Sequence, residues 1–192
     1  SQEIFKVGIV GSGRIASRFV PETKVVNGVE VLSVYNPIKE NAYRFSLTHN
    51  LKAYTDNYAD FLKEIDAVYI ASPVLYHYQY IKESLLAGKH VLCETPFVLS
   101  ENEAKELYQL SEENNLVLLE ASKTAYCPSF NRIVTMVKSG IIGDVVDVKA
   151  SISKMEVAPT RSLDANQAGG AMNEHGPLSI MAIVKLLGKD FK

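Results

Sequence analysis

The sequence predicts an α/β protein: a doubly wound parallel sheet over residues 1–122, followed by an incomplete α+β second domain over residues 123–192. Three observations predict it. Short apolar runs alternate with helical segments across short connections, which is the pattern of βαβ units. The runs, such as FKVGIV at 5–10 and AVYIA at 67–71, are apolar on both faces, as strands covered by helices on each side must be. Past residue 122 the alternation gives way to helices and one segment of mixed polarity.

The elements follow in order. Residues 5–10 read as a buried strand, broken by Gly11–Gly13, and residues 15–20 open a helix. Residues 29–35 (VEVLSVY) are a second strand closed by the turn signal Asn36-Pro37, and residues 37–49 continue as a helix with proline in its first turn. Residues 67–71 form a strand ending in Ser72-Pro73. Residues 77–87 form a helix stopped by Gly88. HVLC at 90–93 is a short strand running into Glu94-Thr95-Pro96. Ser100 and Glu103 make a capping box for a helix over 101–114, and LVLLE at 116–120 is the last strand of the set. In the second domain, residues 130–138 read as a helix ended by Ser139-Gly140. DVVDVKASIS at 144–153 alternates as a half-solvated strand, and a helix opens at Gly169-Gly170 and stops at Gly188. One strand cannot make a sheet, so the second domain is expected to be truncated or completed by another chain.

Composition narrows the function classes. A chain of 192 residues, 47% hydrophobic, can bury a full core. The net charge of −2 gives no basic surface for nucleic acid. No apolar run reaches the roughly 20 residues of a membrane span, and the first residues read as a strand, not a signal peptide. Cys93 and Cys127 are far apart, which fits a reducing cytoplasm and gives no disulfide framework. The histidines and cysteines lack metal-ligand spacing, so no metal is expected.

The sharpest motif is Gly11-Ser12-Gly13-Arg14-Ile15-Ala16, a G-x-G-x-x-A run between a strand and a helix. Gly11 suits a tight turn, Gly13 lets backbone approach a pyrophosphate, and Ala16 lets the helix pack on the strand. The helix start then offers free N–H groups and a positive dipole end to the phosphates. This is the Rossmann arrangement for NAD or NADP. An acidic residue is expected after the second strand to hold the ribose hydroxyls of NAD. That position is Asn36, which bonds a hydroxyl without repelling a phosphate, and Lys39 nearby is either a partner for a 2′-phosphate or a solvated helix lysine. The choice of cofactor stays open at this point.

Four segments together resemble the glucose–fructose oxidoreductase / inositol dehydrogenase / rhizopine catabolism (Gfo/Idh/MocA) family. They are GIVGSGRIA at 8–16, ASPVLYHYQYIKESLLAGKHVLCETP at 71–96, SGIIGDV at 139–145 and GGAMNEHG at 169–176. The resemblance implies an NAD(P)-dependent dehydrogenase that moves a hydride to or from a sugar- or cyclitol-like carbon. It also implies an open sheet after the Rossmann domain that often forms the oligomer interface. Ala71, Ser72, Pro73 and His77 would line the cofactor, with His77 otherwise a packing residue at a helix start, and Glu94 would touch its nicotinamide side. The family's base is the lysine of a Glu-Lys-Pro motif, and here that position holds Thr95. Thr95 can hydrogen-bond but cannot take the proton alone. Lys123, just past the last strand, either supplies the missing amine or is a surface lysine at the domain junction. The family's acidic residue after the paired glycines corresponds to Glu174, which would orient a substrate hydroxyl or Lys123. The position four residues on, where the family has His or Tyr, is Leu178; His175, adjacent to Glu174, is the candidate substitute, although neighbouring helical residues point about 100° apart. Two further readings stand beside the active dehydrogenase: a cofactor- or sugar-binding relative that lost its base, and a purely structural module. A homo-oligomer is expected, because the truncated second domain leaves apolar surface to cover.

Overall fold

The computed structural model describes residues 4–157 and 159–189. The chain divides into two compact units, Ser1–Ala121 and Ser122–Lys192. In the first unit, strands β1 (Phe5–Val10), β2 (Val29–Tyr35), β3 (Ala53–Thr55), β4 (Ala67–Ile70), β5 (His90–Cys93) and β6 (Leu118–Glu120) form one sheet in the order β3-β2-β1-β4-β5-β6. Every pairing is parallel. Helices α1 (Arg14–Thr23), α2 (Lys39–His49), α3 (Tyr58–Phe61), α4 (His77–Leu86) and α5 (Glu101–Glu113) make the connections. The strand order reverses between β1 and β4, and ligands of doubly wound sheets bind in the crevice at that switch point.

The core is split by the sheet. Val7 and Ile9 of β1 and Val34 of β2 pack with Ala16, Val20, Ala42 and Phe45 of α1 and α2. Val10, Val68, Ile70 and Val91 face the other way, among Phe61, Ile65, Ile81, Leu85 and Leu107. This is the strand period of two made visible. Gly8 has a packing reason: a Cβ there would lie 2.5 Å from the Phe61 ring.

The second unit holds α6 (Pro128–Lys138) and α7 (Ala171–Leu187), with 3₁₀ turns at Lys123–Tyr126, Arg161–Leu163 and Ala165–Gln167. The strand expected over 144–153 does not form: those residues carry no regular structure. A strand needs a partner for its backbone groups, and no other segment among the described residues of this unit is extended into one. Three smaller expectations also change. β3 and α3 were not legible in the sequence. α2 begins at Lys39 instead of Pro37. Ser100 caps α5 by backbone conformation alone, with no side-chain bond of a capping box.

Candidate functional site

The glycine turn is built from two different needs. Gly11 has φ +98°, and a Cβ there would lie 2.7 Å from the Ala71 carbonyl oxygen. Its N–H donates to the Tyr35 carbonyl at 2.9 Å, while the Ala71 N–H donates to the Val10 carbonyl at 2.9 Å. The turn is thus pressed between the ends of β2 and β4, where only glycine fits. Gly13 is ordinary extended backbone, and a Cβ there would meet nothing within 4 Å. It opens α1, whose first turn has no acidic residue and no side-chain cap, so the orphan N–H groups are left for a ligand. Arg14 and Ile15 are exposed beside it. Asn36 donates from Nδ2 to the Ser12 hydroxyl at 2.8 Å and accepts the Ile38 N–H at 2.9 Å. A cradle with open space at Gly13 and uncapped donors at a switch point fits a pyrophosphate.

The loops after β4 and β5 border the same crevice. Ala71 and Ser72 are half-buried and Pro73 is exposed. His77 takes the packing role: it is buried, with Nε2 2.9 Å from the Ser72 carbonyl and Nδ1 3.0 Å and 3.1 Å from those of Pro96 and Phe97. It latches one loop to the next through both ring nitrogens. Glu94 and Thr95 are half-buried at the end of β5, ahead of the cis Thr95–Pro96 bond. The Tyr69 hydroxyl donates to Glu94 Oε1 at 2.5 Å, and its ring stacks on Phe19 with centroids 3.8 Å apart. The Phe97 N–H donates to Glu120 Oε1 at 3.1 Å. Burial pushes the Glu120 carboxyl above the usual range and Glu94 adds to this, against the Phe97 N–H, which favours the charged form. Burial likewise raises the Tyr69 hydroxyl, with Glu94 adding to it. Tyr69 and Glu120 were not picked out from the sequence; the available signal was a polar side chain inside the apolar runs AVYIA and LVLLE.

In the second unit, Lys123 begins the 3₁₀ turn Lys123–Tyr126 and is exposed. Glu174, in the first turn of α7, pairs with Arg161 at 2.7 Å. Of the two partners expected for it, a substrate hydroxyl or Lys123, no hydrogen bond to Lys123 is formed among the described residues, and Arg161 is brought to it by the fold of the 161–170 segment. There a Cβ on Gly169 would lie 2.6 to 2.8 Å from the carbonyls of Arg161, Ser162 and Asp164. That close packing explains the first glycine of the pair and brings Arg161 to α7. His175 is half-buried beside Glu156. Lys154 holds the Glu156 carboxyl below its ordinary range, with smaller help from Ser162 and His175. Among the described residues, no group of three or more His, Cys, Asp or Glu side chains is placed to hold a metal ion, and no helix is long and apolar enough to cross a membrane.

Residues 5–122 match the sequence pattern of an oxidoreductase family with an NAD-binding Rossmann fold. The chain belongs to the Gfo/Idh/MocA family. Family relatives include scyllo-inositol 2-dehydrogenase (NADP(+)) of Bacillus subtilis, 33% identical over 137 residues, covering 68% of this chain and 40% of that protein. Another is dTDP-3,4-didehydro-2,6-dideoxy-alpha-D-glucose 3-reductase of Actinomadura kijaniata, 28% identical over 194 residues, covering 97% of this chain and 57% of the relative. Among solved structures, scyllo-inositol dehydrogenase from Lactobacillus casei with bound NAD(H) and scyllo-inositol is 25% identical with a TM-score of 0.68, over 74% of this chain and 43% of that one. A 3-ketoreductase from Actinomadura kijaniata in complex with TDP-benzene and NADP is 28% identical with a TM-score of 0.68, over 74% and 46%. The chain thus spans about half the length of these Gfo/Idh/MocA proteins.

Proposed function

We propose that this chain holds NAD or NADP on the Gly11–Ile15 turn and serves NAD(P)-dependent hydride transfer to or from a sugar- or cyclitol-like hydroxyl or carbonyl carbon. The observation that carries the reading is the uncapped start of α1 with open space at Gly13, in the NAD-binding part of a Gfo/Idh/MocA chain. The dinucleotide, when bound, supplies or accepts the hydride. Ser12, Gly13, Arg14 and Ile15 meet its pyrophosphate, and Asn36 its ribose. Ala71, Ser72 and Pro73 border it, and Glu94, oriented by the Tyr69 hydroxyl, contacts the nicotinamide side with Thr95. Oxidising a hydroxyl releases a proton that needs a base. Lys123 is assigned that part because Thr95 cannot perform it. Glu174 and His175 hold substrate hydroxyls in this reading, with Arg161 fixing the Glu174 carboxylate.

A second reading has support of its own. Thr95 in place of a lysine, together with Glu174 engaged by Arg161, fits a relative that binds cofactor or sugar without turnover. Fluorescence titration with NADH and NADPH, with Gly13→Val as control, tests the shared part. Binding lost in the control is the expected result, and no binding of either dinucleotide overturns the dehydrogenase and the cofactor-binding relative alike. Sugar or cyclitol oxidation that collapses in Lys123→Ala separates them in favour of the dehydrogenase. The partner is a small sugar-like molecule, and the protein is assigned to the reducing cytoplasm because both cysteines are free. Self-association is part of the proposal, since Ile133, Ile141, Ile142 and Val146 of the second unit are exposed. Sedimentation that shows only monomer at micromolar concentration removes it.

A further inference from the structure

The relatives divide over their cofactor: one solved neighbour holds NAD(H) and another NADP. Likeness therefore does not choose between them for this chain. Its own residues do.

A cleft of about 390 Å³ opens between α1 and α2, lined by Ser12, Ser17, Asn41, Arg44, Thr48 and His49 together with Phe45. No carboxylate lines it. Ser12 also accepts the Asn36 carboxamide at 2.8 Å, so the cleft adjoins the residue at the carboxyl end of β2 where a dinucleotide's ribose is held. Chains that select NAD place a carboxylate at that point, which bonds the 2′-hydroxyl and repels a 2′-phosphate. Asn36 carries no charge. Its Oδ1 is bound to the Ile38 N–H, and its Nδ2 turns toward Ser12. Arg44 supplies the cation, and its contact with Glu40 runs through Nε at 2.6 Å. Glu40 is the acid nearest in sequence, and Lys39 and Arg14 are both exposed. His49, another lining residue, has its Nε2 buried with no hydrogen-bond partner among the described residues.

We infer that this chain selects NADP(H) over NAD(H), and that the ribose 2′-phosphate enters the Ser12–Arg44 cleft beside an uncharged Asn36. The inference rests on the proposed dinucleotide site and adds its selectivity. The phosphate brings close to two negative charges at neutral pH. A guanidinium hydrogen-bonds such a group well.

The test uses probes that lack nicotinamide, alongside the whole cofactors. Calorimetry on the 192-residue chain compares adenosine 2′,5′-bisphosphate with 5′-AMP, and fluorescence compares NADPH with NADH. The expected result is binding of each 2′-phosphorylated ligand at least about tenfold tighter than its partner, the effect of one good charged hydrogen bond. Arg44→Ala should remove that advantage and leave 5′-AMP and NADH unchanged. Asn36→Asp should invert the preference. Equal affinity for the two members of each pair overturns the inference, as does an Arg44→Ala loss shared equally by all four ligands. NADH binding without NADPH binding overturns the selectivity alone. Failure of both dinucleotides overturns the selectivity and the proposed function together.

Discussion

Gly11 and Gly13 stand two residues apart in one motif, yet they do different work. Gly11 is demanded by the fold: its φ of +98° and the Ala71 carbonyl 2.7 Å from an added Cβ leave no room for a side chain. Gly13 is not demanded by the fold, because a side chain there meets nothing of the protein within 4 Å; in the proposed function a ligand demands it. Gly11→Ala should therefore cost about 1–3 kcal/mol of stability in denaturant unfolding, the scale of a strained backbone position. Gly13→Val should leave the unfolding midpoint nearly unchanged and abolish dinucleotide binding. A Gly13→Val protein that unfolds as early as Gly11→Ala would show that both glycines serve packing alone. The sequence pattern already assigns the two glycines different reasons, and the three-dimensional neighbours of each Cβ add which atoms make Gly11 necessary. The same holds for His77. Its position in the chain suits a cofactor loop or a helix start equally, and the carbonyls of Pro96 and Phe97 that claim it lie nearly twenty residues away in sequence.

Glu120 offers a residue-scale prediction in pH. Its folded-state carboxyl is raised by burial above the unfolded value of 4.5. A group raised in this way binds its proton more tightly when folded, so the native state loses stability as pH climbs through the window above 4.5 and keeps that loss at neutral pH. Glu120→Gln retains an oxygen for the Phe97 N–H and has no charge to desolvate. Its melting temperature should exceed that of the parent at pH 7, with the gain shrinking toward pH 4. A constant difference across that range would mean that the charge is solvated in the native protein.

At the scale of elements, the long apolar runs were readable because burial on both faces writes itself into composition. Parallel strands such as β1 and β4 have no polar face to disguise them. β3 was not readable: three residues, Ala53–Thr55, are too few for a period of two to register, and the strand exists because β2 offers its edge. The segment at 144–153 shows the converse, since it has the alternation of a strand and no partner to pair with. Helix α6 was readable, but the role of the residue before it was not. Cys127 caps α6 in extended backbone. The Ser129 hydroxyl, then the Phe130 and Ser129 N–H groups, hold its thiol below the ordinary range. Cys93 is buried, and that burial pushes its thiol well up. Native protein should titrate with a thiol reagent as a single reactive cysteine, quenched by Cys127→Ser, and as two only in denaturant. Rapid modification of both under native conditions would contradict the packing of β5.

At the scale of the whole molecule, the two units differ in how they are held. The first has a continuous core on each face of its sheet, and stability in such a unit is cooperative. Among its described residues the second has helices α6 and α7, with only Gly176 of α7 and no residue of α6 buried, and ahead of the 3₁₀ turns that precede α7 runs a long stretch without regular structure. Val146, Met155 and Val157 of that stretch are 93%, 91% and 82% exposed. Backbone with few buried contacts opens at low free energy, and proteases cut where the chain opens locally. Trypsin should therefore cleave first after Lys149 and Lys154, both on the irregular stretch, while the lysines of the first unit, set on helices and strand ends around a closed core, survive. Mass spectrometry of a brief digest should find a persistent N-terminal product that ends in that stretch and still binds dinucleotide in the fluorescence titration. Binding that disappears at the same rate as the intact chain would mean that the cofactor site depends on the second unit. Lys149 and Lys154 resisting cleavage would mean that this stretch is covered in solution, as it would be if copies of the chain associate through it.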